Sequence, residues 1–415
     1  MLWGMSRYQW TVFFAAWLGW GFDVFDGLLF NFVAPVAVPQ LLGVAPGDAR
    51  VTTVTGLVTS ALLVGWATGG ILFGWVTDRV GRARTLQITI LTYALATAAC
   101  AFAPDIWTLV MLRFVASLGI GGEWAAGASL VAEVVPPERR VAAGALLYTS
   151  APLGILLAGL VTEVLTRRVD VLAAQPDLAW RAVFLTGVLP ALFVAWIRRH
   201  VEESEVWRRE RAEHPRLAEL FTPELRRATL GGLAMCLVTL LTWWATNAFL
   251  PFVAEHLAAH DGGAGAVARH RGRATLLFTA GGFLGTVATI PLARLGRRPL
   301  FAIYLAGAAL SIWLAFGLDW HPVTRTRLLF LNGLTVFGVV GAFSFYLPEL
   351  FPTRLRGTGS GFCFNVGRYL AAAGPSVVGV ALGSAATPMD AIRWVALVPL
   401  AGLCLVPFIV ETAPS

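Results

Sequence analysis

Five ionisable side chains lie inside long apolar stretches of this 415-residue sequence, and they are its strongest candidates for chemistry. They are Asp23, Asp26, Arg113, Glu123 and Arg368. A charged side chain costs roughly 2.5–3.5 kcal/mol at the centre of a membrane-spanning helix, so residues of this kind mark proton, ion or substrate sites. The acids could bind and release protons, and an arginine could bind a carboxylate.

The two aspartates and Arg113 are expected at one level of the membrane. Asp23 and Asp26 are three residues apart and so share a helix face. At 1.5 Å per residue they lie roughly 20–24 Å from the inner side, and Arg113 about 9 Å from the outer side, of a core about 30 Å thick. We expect Arg113 to neutralise one aspartate and the other to bind a proton near neutral pH. Glu123 is a candidate inner proton acceptor, and the alternative is that these groups only hold helices together.

Arg368 is the candidate substrate anchor. It lies about eleven residues, or roughly 17 Å, into its apolar run and therefore near the bilayer midplane. A planar guanidinium binds a carboxylate through two parallel hydrogen bonds. Asn365, Tyr369 and Asn247 are the other predicted substrate-binding residues. The alternative is that Arg368 pairs with the first helix when no substrate is bound.

The elements that must position these residues are membrane-spanning helices. The chain is 57% apolar and 13% charged, whereas globular chains carry about 25% charged residues. A span needs roughly 20 mostly apolar residues. Twelve such runs occur, near 10–39, 52–77, 86–103, 107–134, 141–165, 181–198, 228–253, 274–293, 299–318, 328–348, 358–383 and 390–410. This pattern predicts an all-α integral membrane protein, and the polar stretch of 198–227 is too short for a catalytic domain, which argues against an enzyme.

Arginine placement predicts the orientation. The sequence contains no lysine, and its net charge of +7 is spread in small arginine groups, a pattern that does not favour nucleic-acid binding. With the N-terminus inside, 19 arginines fall on inner segments and 10 on outer ones. Both termini are therefore predicted to be cytoplasmic, in the plasma (inner) membrane. The first run is too long and too acidic for a cleaved signal peptide.

Two short motifs recur at nearly the same offset. Arg79-Val-Gly-Arg82 is matched by Arg294-Leu-Gly-Arg297, 215 residues later, and Glu133-Val-Val-Pro by Glu349-Leu-Phe-Pro, 216 residues later. The repeat predicts a six-helix bundle over 1–197, a central cytoplasmic loop over 198–227 and a second six-helix bundle over 228–415. Parallel repeats of this kind are typical of transporters that work by alternating access.

The motifs resemble those of a known family. The segment from Gly74 to Arg84, Gly-Trp-Val-Thr-Asp-Arg-Val-Gly-Arg-Ala-Arg, is similar to the signature of the major facilitator superfamily. Arg113 followed by Gly119-Ile-Gly-Gly-Glu-Trp124, then Trp180-Arg181, 202–207 and 349–353, resemble the metabolite:proton symporters, in particular the branch of lactate and sialate carriers, with aromatic-acid carriers nearby. The resemblance covers nearly the whole chain and implies a twelve-helix transporter with two pseudo-symmetric bundles.

The resemblance also implies a gating role for the cytoplasmic motifs. The residues concerned are Gly74, Asp78, Arg79, Gly81, Arg82, Glu133, Arg140, Arg294, Arg297, Glu349 and Arg356. Glu133 is expected to act with Arg140, and Glu349 with Arg356; solvated loop charges are the alternative. The second copy departs from the first, because Ala293 stands where the first has Asp78.

Together these observations predict a secondary active transporter that imports a small organic acid with protons. No metal is predicted, since His256 and His260 read as part of a solvated outer loop, and no cofactor beyond the proton gradient is expected. The predicted partners are an organic anion, protons and the lipid bilayer, with no nucleic acid, and the protein is expected to work as a monomer. The alternative is a carrier for sugars or other polar metabolites, nicotinate-like substrates included, or an exporter of small molecules.

Overall fold

The computed structural model of the protein describes residues 4–45, 48–210, 216–258, 266–371 and 392–412. The first part of the chain forms α1 (Arg7–Leu42), α2 (Ala49–Val80), α3 (Arg82–Cys100), α4 (Ile106–Val134), α5 (Pro137–Leu147), α6 (Ser150–Glu163), α7 (Asp170–Ala173), α8 (Pro176–Leu185), α9 (Leu189–His200) and α10 (Glu205–Glu210). The second part forms α11 (Arg226–Ala258), α12 (Ala266–Leu292), α13 (Arg297–Phe316), α14 (Pro322–Leu350), α15 (Arg356–Ala371) and α16 (Leu397–Leu405).

The regular structure within these ranges is entirely helical, which confirms the predicted all-α membrane fold. Nine helices of the described part of the chain are long and apolar enough to cross a membrane, and 393–408 forms a shorter apolar helix. Each of the twelve predicted apolar runs is helical over most of its described length. Hydropathy therefore located the spans, while their ends depend on local capping.

The start of α4 shows how capping sets a helix end. Asp105 accepts hydrogen bonds from the backbone N–H and the hydroxyl of Thr108, at 2.9 and 2.8 Å. These bonds satisfy donors that the first turn of a helix leaves open. They also hold the pKa of the Asp105 carboxyl below its usual value, the backbone bond contributing most. The cap fixes where α4 begins, and so the depth at which Arg113 and Glu123 lie along it.

The fifth predicted span is two helices rather than one. Pro152 lies in the first turn of α6 and has no backbone N–H to donate to the carbonyl of Tyr148, four residues earlier. Its ring also crowds that carbonyl. The helix accordingly breaks at Tyr148 and Thr149, between α5 and α6.

The contacts divide the protein into two compact units. Unit 1 comprises Met1–Arg140, Ser150–Leu217 and Pro352–Asn365, and unit 2 comprises Val141–Thr149, Ala218–Phe351 and Val366–Ser415. The first turns of α15 thus belong to unit 1, and most of α5, with Tyr148, belongs to unit 2.

Glycines bring α2 and α4 of unit 1 into close contact. A Cβ atom at Gly69 would overlap the backbone of Leu118, and one at Gly121 would overlap the carbonyl of Trp66. Small residues of this kind let membrane helices pack backbone to backbone. In unit 2 the same device joins α12 to α14, where a Cβ at Gly285 would overlap the Leu334 carbonyl. The close approach holds α4 in a fixed rotation, which directs Arg113 and Glu123 into the interior of unit 1.

Candidate functional site

Arg113 neutralises Asp26 in the interior of unit 1. Its Nη1 donates to Asp26 Oδ1 at 2.9 Å and to the Thr97 hydroxyl at 3.0 Å, and that hydroxyl donates to the same carboxylate oxygen at 2.6 Å. Arg113 Nη2 donates to the carbonyls of Asp26 and Gly27. All three side chains are fully buried. The arrangement is a hydrogen-bonded ion pair that joins α1, α3 and α4.

Two further buried acids of unit 1 lie against each other. Glu123 on α4 interacts with Asp23 on α1, and both side chains are at most 1% exposed. Two glycines, Gly19 and Gly127, flank the Glu123 carboxyl; a Cβ at Gly19 would overlap Glu123 Oε1. Tyr93 of α3 is within electrostatic reach of both acids. Unit 1 therefore holds an acid pair in addition to the Asp26–Arg113 ion pair.

Aromatic residues lie next to this acid pair in sequence and contact one another. Trp20, one turn before Asp23 on α1, lies 6.1 Å from the ring of Trp124, which directly follows Glu123. Trp124 in turn stacks on Phe364 of α15 at 4.4 Å. The two acids are themselves almost fully buried, and low hydration strengthens electrostatic interactions between them.

Arg368 lies in unit 2 beside an aromatic cluster. It is 5% exposed and within electrostatic reach of the buried Tyr148. The ring of Tyr148 is 6.0 Å from Phe337, and Phe337 has edge-on contacts with Trp243 at 5.8 Å and with Phe278 at 5.3 Å. An arginine next to aromatic faces can hold a carboxylate while the rings contact a planar substituent.

The other predicted substrate residues have different surroundings. Asn365 belongs to unit 1, where its amide donates to the Gly361 carbonyl at 2.8 Å and packs against Gly70 of α2. Tyr369 is 38% exposed. The side chain of Asn247 lies outside the described part of the structure. Of the predicted set, Arg368 has the environment best suited to a buried anion.

Asp78 binds the beginning of α15 within unit 1. Its carboxylate accepts the backbone N–H of Gly357 at 3.1 Å and both the N–H and the hydroxyl of Thr358, at 2.7 and 2.8 Å. Arg82 Nη2 lies 3.1 Å from the same carboxylate. Gly74 makes the approach possible, since a Cβ there would come within 2.7 Å of the Gly357 carbonyl. A carboxylate at a helix N-terminus is a favourable arrangement.

Glu133 receives two arginines in unit 1. Arg82 donates to Glu133 Oε1 from Nη2 at 2.9 Å, and Arg356 donates to the same oxygen at 3.1 Å. Arg140, the partner expected from the motif, donates its Nε to the carbonyl of Val135 at 3.2 Å. The pairing differs from the expectation because Arg82 begins α3 directly after the turn at Gly81 and extends toward the end of α4.

Unit 2 contains a related network around Glu349. Arg297 donates to its two carboxylate oxygens at 2.8 and 3.0 Å, in place of the Arg356 that the motif suggested. Ala293, the counterpart of Asp78, is buried. Arg79 and Arg294 are exposed, and Arg79 lies 3.8 Å from the ring centroid of Trp75. The two copies of the motif therefore share an arginine–glutamate pair, and the first adds the Asp78 contact.

Two glutamates outside the predicted set cap helices in both units. Glu203 accepts the backbone N–H of Arg82 at 2.7 Å, and Glu411 accepts that of Arg297, also at 2.7 Å. Each cap follows a glycine with positive φ, 116° at Gly81 and 109° at Gly296. Only glycine adopts this conformation without strain. Glycine at the repeated motif signals the turn, but the capping acid comes from more than a hundred residues away, so spacing cannot reveal it.

Removal of either cap is expected to destabilise the protein moderately. Glu203→Ala and Glu411→Ala each leave the first N–H groups of a helix without their acceptor, at a cost of about 0.5–2 kcal/mol. Thermal unfolding in detergent measures the effect. Glu205→Ala is the matched control, because Glu205 is 80% exposed and its ion pair with Arg209 spans 3.6 Å. An equal loss of stability in that control would contradict the capping role.

The structure adds residues that sequence reasoning did not single out for the site. Thr97 bridges Asp26 and Arg113, and Tyr93 lies near the acid pair. Tyr148 is within electrostatic reach of Arg368, and Phe337 lies 6.0 Å from the Tyr148 ring. Tyr93 and Thr97 are four residues apart and so lie on one face of α3. Polar side chains that recur at this spacing in an apolar helix were the feature of the sequence from which these two residues could have been predicted.

The described residues include no group of three or more histidine, cysteine or acidic side chains suited to a metal ion. His256 belongs to a region whose side chains lie outside the description, as does His260.

Comparison with known proteins gives consistent matches. A family profile described as Major Facilitator Superfamily matches residues 10–375. The chain is 34% identical over 382 residues to a "Probable 4-methylmuconolactone transporter" of Cupriavidus pinatubonensis, covering 90% of this chain and 84% of that protein. It is 26% identical over 378 residues to the "Gentisate transporter" of Corynebacterium glutamicum, covering 89% and 81%. Among solved structures it resembles the proton:xylose symporter XylE of E. coli, with a TM-score of 0.79, 17% identity, and coverage of 98% of this chain and 96% of that one.

Proposed function

The chain belongs to the Major Facilitator Superfamily, and on this premise we propose that it imports a small organic acid together with protons. It is a multi-pass membrane transporter and not an enzyme, in agreement with the family resemblance of its motifs. The proposal is carried by the distribution of buried charge. Unit 1 holds a buried acid pair, and unit 2 holds a buried arginine beside aromatic rings.

The proposed substrate is a carboxylate with a planar or aromatic part. Arg368 provides the positive charge, and the cluster of Tyr148, Phe337 and Trp243 provides apolar ring faces and one hydroxyl. Two similar proteins are named as transporters of gentisate and of 4-methylmuconolactone, which are compact cyclic compounds, the second of them a lactone. This likeness supports the proposed class of substrate. The likeness to XylE concerns the fold alone.

The proposed driving force is the proton gradient, with no further cofactor. Buried carboxyl groups in a membrane protein can carry protons across it when their access alternates between the two sides. Asp23, Asp26 and Glu123 are the candidates, and Arg113 keeps Asp26 in an ion pair. In this proposal the halves 1–197 and 228–415 move against each other to alternate access. Both termini lie in the cytoplasm, the protein lies in the plasma membrane, and a monomer is sufficient for transport.

The cytoplasmic networks are proposed to serve gating. Asp78 holds the first residues of α15 through three hydrogen bonds, and Glu133 holds Arg356 at the same helix start. Contacts of this type stabilise one conformation and must break for another to form. The Arg297–Glu349 pair would act in the same way on unit 2.

Uptake into proteoliposomes tests the proposal. With the outside acidified, we expect radiolabelled gentisate, nicotinate, lactate or sialate to accumulate, and a hexose not to. Arg368→Ala should weaken carboxylate affinity by roughly 10- to 150-fold, the equivalent of losing a charged hydrogen bond of about 1.5–3 kcal/mol. Arg167→Ala is the control, because Arg167 is 73% exposed. Accumulation of the hexose alone, or unchanged affinity in Arg368→Ala, would contradict the proposal.

A further inference from the structure

Helices α3 and α9 of unit 1 pack side by side and run in opposite directions. Gly187, in the short turn before α9, packs against Thr97 near the end of α3. At the other end Glu203, which follows α9, accepts the backbone N–H of Arg82 at the start of α3. Between these contacts the chain advances 16 residues, from 187 to 203, along one helix and 15, from 82 to 97, along the other. The helices are therefore in register, and residues near 84 lie level with residues near 200.

The exposed face of α3 is apolar and ends in an arginine. Ile88, Leu91 and Leu95 follow Arg84 at intervals of four, three and four residues, so all four side chains lie on one side of the helix. All four are exposed. Since the run 86–103 is predicted to span the membrane, the three apolar side chains are placed among acyl chains, and Arg84 lies where the lipid headgroups begin.

The exposed face of α9 ends in the same way. Leu192 and Trp196 precede Arg199 at intervals of four and three residues and are exposed, as are Arg198 and His200. The ring of Trp196 stacks on that of His200, with centroids 5.1 Å apart, and His200 Nδ1 lies 2.8 Å from the Trp196 carbonyl. Tryptophan is enriched at the level of the headgroups. Two arginines and a stacked ring pair therefore lie at one end of this face.

The three arginines at this end of the two helices are unpaired. Arg84, Arg198 and Arg199 make no hydrogen bond, ion pair or ring contact with any residue that the structure describes. Glu203 lies at the same end, but its carboxylate already accepts backbone N–H groups at the start of α3. By the register of the helices the three arginines lie within about 5 Å of one level. Guanidinium groups gathered in this way can bind a phosphate through charge-assisted hydrogen bonds.

The sequence repeat indicates that the turn before α3 does not itself require Arg84. At the offset of 215 that relates the two copies of the motif, the equivalent of Arg84 is Pro299. The equivalent of Ile88 at this offset is Ile303, which is exposed on α13 as Ile88 is on α3. Both units thus have the exposed apolar position, but only unit 1 has an arginine at the end of the face. The arginine belongs to unit 1 and not to the shared scaffold.

We propose that the groove between α3 and α9 ends in a binding site for an anionic phospholipid. Arg84, Arg198 and Arg199 hold its phosphate group, and its acyl chains lie along the exposed apolar faces of the two helices. The lipid belongs to the leaflet that arginine placement predicts to be cytoplasmic, where anionic lipids attract basic residues. A lipid bound there joins α3 to α9 beside the cap that Glu203 provides, and the site serves the lipid environment of the protein rather than its substrate.

Native mass spectrometry of the delipidated full-length protein in detergent tests the proposal. The probes are phosphatidylglycerol and phosphatidylcholine with identical acyl chains. The wild type should bind the first phosphatidylglycerol roughly tenfold or more tightly than phosphatidylcholine. Arg84→Gln should weaken phosphatidylglycerol binding by roughly fivefold, and Arg198→Gln/Arg199→Gln by roughly 25-fold. Because these side chains are exposed and unpaired, both variants should fold like the wild type.

The matched control is Arg208→Gln/Arg209→Gln, which removes two charges from exposed, adjacent residues of α10. It should leave phosphatidylglycerol binding unchanged, and an equal loss there would overturn the proposal. Equal affinity for the two lipids, or unchanged affinity in Arg198→Gln/Arg199→Gln, would also overturn it. Glycerol phosphate carries the same phosphate without acyl chains, and its displacement of the bound lipid at equal concentration would assign the site to soluble anions instead. Carboxylate transport plays no part in the measurement, so the outcome is independent of the proposed function.

Discussion

Replacing Arg113 with alanine is expected to lower the free energy of unfolding by about 3–5 kcal/mol, because it leaves the carboxylate of Asp26 buried without its counter-charge. Asp26 and Arg113 are both fully buried, and Thr97 alone cannot balance a full negative charge. The measurement is unfolding by SDS in mixed micelles, followed by circular dichroism. A loss this large would exceed the effect of any single helix cap.

A double variant that also removes the charge of Asp26 tests whether the loss of stability is electrostatic. Asp26→Asn/Arg113→Ala removes the orphaned carboxylate as well, so the double variant should recover a large part of the loss. Thr97→Val serves as the matched control, since it deletes one hydroxyl from the same cluster and should cost about 0.5–1.5 kcal/mol. If the double variant were as unstable as the sum of the two single variants, the pair would not be coupled and the ion-pair account would fail.

Replacing Asp78 with alanine is expected to release the first turn of α15. The change removes three hydrogen bonds to a charged acceptor, each worth about 1.5–3 kcal/mol. Protection of the Gly357 and Thr358 amides from hydrogen exchange should fall by roughly 1000-fold or more, as local opening becomes cheaper by at least about 4.5 kcal/mol. Mass spectrometry of the peptides covering 356–361 measures this directly.

Graded variants test the Asp78 contact more closely. Thr358→Val removes only the hydroxyl bond, 2.8 Å long, and should reduce protection by about 10- to 150-fold, less than Asp78→Ala does. Arg297→Gln, in the network of unit 2, should leave these amides unchanged. Protection that stayed normal in Asp78→Ala would show that Arg82, Glu133 and Arg356 are sufficient to hold the helix start.

The helical spans and one ion pair could be predicted because each depends on local or linear quantities. Apolar run length gives a span, and the rise per residue places Asp26 and Arg113 at one depth. The depth of a residue in the membrane does not, however, specify the direction in which its side chain points around the helix axis. Whether Asp23 or Asp26 faces Arg113 depends on helix rotations of a few tens of degrees, and these are set by glycine contacts such as Gly121 against Trp66.

The partners of Glu133 and Glu349 were mispredicted for a related reason. The expectation paired each glutamate with an arginine seven residues later in the sequence. In the structure Glu133 pairs with Arg82 and Arg356, and Glu349 pairs with Arg297. Tertiary contacts bring the start of α3 to the end of α4, and sequence separation carries no information about this. The break at Tyr148 was foreseeable in principle, since a proline four residues later removes its helical hydrogen bond.

The carboxylate caps also bear on the order in which the chain folds. During synthesis α3 emerges about 120 residues before Glu203, and α13 about 110 residues before Glu411, by the separations of the bonded residues. Until those acids arrive, each helix begins with uncapped N–H groups next to a glycine turn. Capping of each helix thus awaits an acid that is synthesised much later, so a ribosome that stalls shortly before Glu411 would leave the first N–H groups of α13 without their acceptor.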